Sequence, residues 1–180
     1  TGMEIESGLQ SPHFADGKDE LTLKNPKVLV YGGLIDNVNV LVPVIEAVSK
    51  AGARTLVVFA KDFSKEVIEI FEKNKITGVF NVIPVKATNP EGYQEKDLAA
   101  LLGTAVGEFK DVLVTGPCDK FIQDKDKTLF IGGRHATKRV EELKSEQTKA
   151  TSEYDKNRLQ KRISALSGGV AVIKVGANSQ

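Results

Sequence analysis

Between Lys27 and Lys86 the apolar positions switch between two periods. Short β-branched runs, Lys27-Val28-Leu29-Val30-Tyr31, Thr55-Leu56-Val57-Val58-Phe59 and Val79 to Val85, are separated by helically spaced segments, Asn37 to Ala51 and Ser64 to Asn74. Strands that are apolar at consecutive positions bury both faces, and their alternation with helices is the pattern of βαβ units around a parallel sheet. The stretch therefore predicts strand, helix, strand, helix, strand. Pro84 removes a backbone donor from the third strand, which should end there or lie at an edge.

The first helix carries more apolar residues than a surface helix needs. At about 100° per residue, Val40, Val44, Ala47 and Ala51 share one stripe and Val38, Leu41, Val42, Ile45 and Val48 a second. Asn39, Pro43, Glu46 and Lys50 form the remaining strip. One stripe roughly 100° wide suffices for a surface helix, and here it is about twice that. Either the helix is buried on two sides or one apolar side is offered to a partner. Asp36 or Asn37 caps the start, Gly52 ends the helix, and Pro43 fits only in a first turn or at a kink.

Outside this unit the pattern is weaker. Met3 to Glu6 and Leu21 to Leu23 alternate like short strands. Leu9, His13 and Phe14 fall in a breaker-rich segment with too many glycines and prolines for a helix, either tucked under a neighbour or presented outward. Further on, the spacing predicts a short helix over Asp97 to Val106 and strands at Asp111 to Val114 and Thr128 to Ile131, with a charged turn from Gln123 to Lys127 between them. Two helices follow, over 134–150 and 152–166, then a stop at Ser167-Gly168-Gly169 and a final strand from Val170 to Val175.

Composition narrows the function classes. The 180 residues suffice for one domain with its own core. A net charge of +1 gives no field directed at nucleic acid or membrane, and 6% aromatic residues without tryptophan make a poor base-stacking platform. No apolar run approaches the roughly 18 residues of a membrane span, and the first residues lack the pattern of a signal peptide. A single cysteine, Cys118, fits a reducing compartment. The expectation is a soluble intracellular globular domain.

Candidate chemistry is sparse. Gly32-Gly33 precedes a helix and could hold an anion, as a Rossmann-like phosphate-binding domain would, but the full glycine fingerprint and the Walker lysine are absent. Gly132-Gly133-Arg134 reads as a turn before a helix. His13 and His135 have no acidic or cysteine partner at ligand spacing, and Cys118 has no histidine nearby in sequence to activate it. The mixed-sign run from Lys138 to Arg162 is a solvated helix face, with Arg139 and Glu142 at contact spacing. No catalytic residue and no metal site is expected. An oligomerisation domain burying the second stripe of the first helix is the other alternative.

The run Thr151-Ser152-Glu153-Tyr154-Asp155-Lys156-Asn157-Arg158-Leu159-Gln160-Lys161-Arg162, followed by Leu166-Ser167-Gly168-Gly169-Val170-Ala171-Val172-Ile173-Lys174-Val175, closely resembles the end of the apical domain of group I (GroEL-type) chaperonins. The start, with Gly2-Met3, Gly8, Ser11-Pro12 and Phe14, and the middle, with Leu41-Val42-Pro43-Val44-Ile45-Glu46-Ala47-Val48, resemble the same domain. The resemblance is strong over about half the chain and weak from roughly Thr88 to Thr137. It implies an α/β GroEL-like apical domain with a three-layer core, a βαβαβ unit and a C-terminal antiparallel helical pair. It also implies hinge crossings at Gly2 and at Gly168-Gly169, so that residues 1–180 are a single apical domain. The equatorial domain, and most of the intermediate one, would then lie outside the chain.

In that family two helices, matching Asn37–Ala51 and Ser64–Asn74, flank an apolar groove that binds non-native polypeptides and the mobile loop of a GroES-type co-chaperonin. Matched position by position, Leu9, His13 and Phe14 fall in the first segment. Val42 and Ile45 lie on the first helix, and Ile68, Glu72, Lys73 and Asn74 on the second; Val38 joins the candidate set, as does Phe71 if Glu72 and Lys73 are solvated and the groove shifts toward Ile68 and Phe71. By the same resemblance the fragment is no enzyme and holds no cofactor, because ATP and magnesium belong to the equatorial domain. The fragment would be a monomer and the whole protein a seven-membered ring, cytoplasmic or in a mitochondrial matrix or plastid stroma. Glu72 and Lys73 replace two aliphatic residues usual in the family and His13 a tyrosine. A divergent member with a weaker groove follows, since each buried aliphatic side chain is worth about 1.5–3 kcal/mol.

Overall fold

The computed structural model describes residues 2–133 and 136–168. Gly169, the expected strand from Val170 to Val175, Arg134 and His135 lie outside the described residues. In chain order the strands are β1 (Gly2–Ile5), β2 (Glu20–Lys24), β3 (Lys27–Val30), β4 (Leu34–Ile35), β5 (Thr55–Ala60), β6 (Asp62–Phe63), β7 (Asn81–Lys86), β8 (Gly116–Pro117), β9 (Lys120–Asp124) and β10 (Thr128–Ile131). The helices are α1 (Val42–Lys50), α2 (Lys65–Thr77), α3 (Tyr93–Leu101), α4 (Thr137–Lys149) and α5 (Glu153–Ser167), with 3₁₀ turns at Pro12–Ala15 and Val38–Leu41.

The expected βαβαβ unit is present. Its sheet has the order β7-β5-β3-β8, with β3, β5 and β7 parallel and β8 antiparallel. Pro84 lies opposite Val58 in β7, which is an edge strand as its missing N–H requires. Leu56 through Ala60 are all buried, so β5 has cover on both faces. Both crossovers step in the same direction across the sheet. Since such crossovers are right-handed, α1 and α2 lie side by side on one face. A second sheet, wholly antiparallel with order β1-β10-β9-β2, joins the first through Phe130, whose ring stands edge-on to Phe59 at 6.3 Å and to Phe121 at 5.4 Å. One hydrophobic core runs through both sheets and all five helices.

Three local expectations change. The run Asp111 to Val114 forms no strand, and Val112 and Val114 project into solvent. The segment read as a charged turn begins inside β9. Its Gln123 is buried and donates to the Thr128 hydroxyl at 2.8 Å, so a polar residue occupies an inward strand position. The short helix after the third strand is α3, beginning at Tyr93 and ending at Leu101 instead of running from Asp97 to Val106. The C-terminal pair matches expectation. Ser152 caps α5 by accepting from the Asp155 N–H, and Gly168 ends it at φ +78°, a conformation glycine adopts without strain. Gln147 on α4 donates to Gln160 on α5, while Arg139 and Arg162 meet on one carboxylate, which makes the two helices antiparallel.

Candidate functional site: the outer faces of the first two helices

The helix start that seemed overloaded with apolar residues is two elements. Asn37 accepts from the Asn39 N–H at 2.9 Å and opens the 3₁₀ turn Val38–Leu41, and α1 begins only at Val42. Pro43 therefore stands in the first turn of α1, where no intrahelical donor is lost. The change of period also changes the wheel. Leu41, Val44 and Val48 are the buried residues, taken from both expected stripes, whereas Ala47 and Ala51 are exposed. The doubled apolar face is thus a correction: one stripe enters the core, and Val38, Val42 and Ile45 remain at its outer margin. Val42 is 41% exposed, while Val38 and Ile45 are half-buried against the core.

The second helix starts at Ser64, which accepts from the Val67 N–H at 3.2 Å, and ends at Gly78 with φ +74°. The leads into α1 and α2 are joined. β4 pairs parallel with β6, and the Ser64 N–H donates to the Ile35 carbonyl at 3.0 Å. Two helices that begin on a shared hydrogen-bonded ribbon keep a fixed relative placement at that end. The 3₁₀ turn Pro12–Ala15 packs on α2, and Lys75 pairs with Asp16 at 2.7 Å. That hydrogen-bonded ammonium holds the Asp16 carboxyl below its ordinary range.

The candidate residues separate by depth. Phe14 and Phe71 are fully buried core residues, so neither offers its ring to a partner; they support the surface from beneath. Leu9, Ile68, Glu72 and Asn74 are half-buried, and His13 and Lys73 are exposed. Three apolar residues of the α2 region that sequence reasoning missed are open to solvent, Ile70, Ile76 and Val79. Helical spacing could have flagged Ile76, which falls opposite the Val67–Phe71 stripe, but not Ile70, three residues after Val67.

Two of the glycines singled out in the sequence are tightly enclosed by their neighbours. The Gly32 N–H donates to the Gly107 carbonyl at 2.8 Å, and the Glu108 carboxylate lies where a Gly32 Cβ would be. A loop whose donor is used and which faces a carboxylate is unsuited to a phosphate. Gly2 is paired with Ile131, and a Cβ there would come 2.8 Å from the Phe130 carbonyl oxygen. The Cys118 thiol is buried, donates to the Lys120 and Ile131 carbonyls at 3.2 and 3.3 Å, and has its pKa raised by burial, the reverse of an activated nucleophile.

Taken together, fold and surface describe a mixed α/β domain with an apolar margin along two adjacent helices. No protein-family model matches the chain. It is 36% identical over 198 aligned residues to the chaperonin GroEL of Acholeplasma laidlawii (strain PG-8A), an alignment covering 99% of this chain and 36% of that relative. The chain is a homologue of GroEL over a domain-sized stretch, and it spans about a third of the relative's length. Among the described residues no helix is long and apolar enough to cross a membrane.

Proposed function

We propose that this chain is the apical domain of a chaperonin. On this reading it binds non-native polypeptide, and the mobile loop of a GroES-type co-chaperonin, along the apolar margin between α1 and α2. The observation that carries the reading is the outward placement of Val42, with half-buried Ile45 at the same margin, on a helix whose lead is tied to that of α2, in a chain homologous to GroEL. Aliphatic side chains in water make few geometric demands, which suits clients that share only exposed hydrophobicity. Ile68 supplies the facing aliphatic surface, while His13 lies on the 3₁₀ turn that packs beside α2 and Leu9 precedes that turn, its N–H bonded to the Asp124 carbonyl at 2.8 Å. Glu72, Lys73 and Asn74 make the far end polar and weaken the grip on generic clients. ATP-driven cycling, ring assembly and hinge motion about Gly2 and Gly168-Gly169 are properties proposed for the whole protein.

The test is a fluorescence-anisotropy titration of a labelled amphipathic peptide with the wild type, Ile45→Glu and Val42→Glu. Saturable binding that both substitutions weaken at least about tenfold, roughly 1.4 kcal/mol, is expected. Equal affinity in all three proteins overturns the placement of the site.

A further inference from the structure

A second apolar surface lies at the carboxyl ends of the parallel strands, beside the turn that leads into α1. The segment after α3 that forms no strand is held against the end of β3, since the Gly107 N–H donates to the Val30 carbonyl at 2.9 Å and the Gly32 N–H to Gly107 at 2.8 Å. A tight turn follows, in which the Glu108 N–H donates to the Asp111 carboxylate at 2.7 Å and the Asp111 N–H to the Glu108 carbonyl at 3.0 Å. The turn projects Phe109, 71% exposed, and Val112, 91% exposed. Phe109 lines a concavity of about 300 Å³ together with Leu34, itself 52% exposed, and with Tyr31, Asp36, Val40 and Glu108. Large apolar side chains held in water by a hydrogen-bonded turn are an unusual outlay for a fold, and they mark a contact surface.

The charges around it select the partner. Asp36, Glu108 and Asp111 surround the concavity and its turn, and among the described residues none of them is in an ion pair. The nearby cations are Lys110, whose ammonium stands 5.8 Å from the Phe109 ring centroid, and Lys61 on the other flank of Leu34. The Tyr31 hydroxyl has its pKa raised first by burial and then by Glu108, Asp36 and Asp111, which agrees with a negative potential there. The concavity is at the small end of ligand pockets and has room for one or two side chains.

We propose that this surface is a second docking site, for an extended peptide segment carrying a lysine or arginine beside an aliphatic residue. The cation would enter between Asp36 and Glu108, and the aliphatic neighbour would cover Phe109 and Leu34. The site adjoins the lead into α1, since Asn37 and Val40 of its lining flank Val38 of the first surface, and Phe109 is the residue that distinguishes it.

The experiment uses a labelled peptide alternating lysine and leucine, beside versions with glutamate for lysine and serine for leucine. Each is titrated by anisotropy into the Val42→Glu protein, in which the first surface is blunted. Saturable binding of the lysine–leucine peptide alone is expected. Adding Phe109→Ser should weaken it about tenfold, and adding Asp36→Asn and Glu108→Gln should weaken it several-fold and flatten its salt dependence. Phe109 is mostly exposed, so its replacement should leave the circular dichroism spectrum unchanged. Absence of binding, equal binding of the glutamate peptide, or an affinity unmoved by Phe109→Ser overturns the proposal. Binding by the wild type that Val42→Glu abolishes also overturns it, while leaving the first site intact.

Discussion

The two helical pairs of this molecule, α1 with α2 and α4 with α5, are held in opposite ways. The C-terminal pair closes on a charge. Asp97 of α3, its side chain 2% exposed, accepts from Arg139 Nε of α4 at 2.9 Å and from Arg162 Nε and Nη2 of α5 at 2.7 and 3.2 Å. The Arg162 guanidinium also stacks 4.1 Å from the Tyr93 ring centroid. With the helices fixed from inside, their outward residues are almost all polar. The α1–α2 pair is joined at its starts by the β4–β6 ribbon, and its outward surface keeps Val42 and Ile70 in water. The contrast separates apolar surface that stabilises the fold from apolar surface the fold does not use. Only the second kind is free for a partner.

Substitutions can break this contrast. Asp97→Ala should have the largest effect, lowering stability in urea by about 3 kcal/mol, the lower end for a broken buried pair, because both arginines are partly exposed and can turn toward water. Peptide affinity measured on the folded protein should not change; a parallel loss would mean that the two pairs are coupled. Val42→Glu should behave oppositely. It should cost affinity about tenfold or more while moving the urea midpoint little, because an exposed carboxylate in the first turn of a helix is favoured by the helix dipole. Glu72→Val sharpens the comparison from the other side: a half-buried aliphatic residue there should tighten peptide binding by about 1 kcal/mol.

Asp16→Asn should have the smallest effect, a few tenths of a kcal/mol, since the Asp16–Lys75 pair is open to solvent on the carboxylate side. Its pH dependence has a defined sign. The folded carboxyl lies below the ordinary value of 3.8, so the pair's contribution is present above that value and disappears as pH falls through the lower folded one. Wild type and Asp16→Asn should differ in urea midpoint near neutral pH and converge below about pH 3.8. A difference that persists in acid would assign the effect to packing.

Much of the parallel half was legible in the sequence because its strands are apolar at consecutive positions, which only a sheet covered on both faces allows. Pro84 pointed to a strand end or an edge, and the edge is what the sheet order gives. The antiparallel half was harder. β9 alternates with a buried glutamine whose partner, Thr128, is known only from the pairing, and Asp111 to Val114 has the composition of a strand without a neighbour to pair with. At the candidate site the helices were legible and the depth of their residues was not. A wheel drawn at one period across Val38 to Ala51 crosses a 3₁₀ turn and mixes inner with outer positions. Family matching placed Phe14 at the groove, and a shifted groove would have used Phe71, whereas the structure puts both rings in the core.

The pairing of β1 with β10 has a consequence for the order in which the molecule forms. Gly2 meets Ile131, so the antiparallel sheet closes only once residues 2–131 are present, whereas β3, β5 and β7 are complete within residues 27–86. Contacts between near neighbours form sooner than those that must first close a long loop. As the chain emerges from the ribosome, the parallel unit can fold first, with α1 already displaying Val42, while residues 2–5 wait for a strand more than a hundred residues downstream. A nascent chain whose first 86 residues have left the ribosome should therefore already expose the apolar helix face before its scaffold is finished.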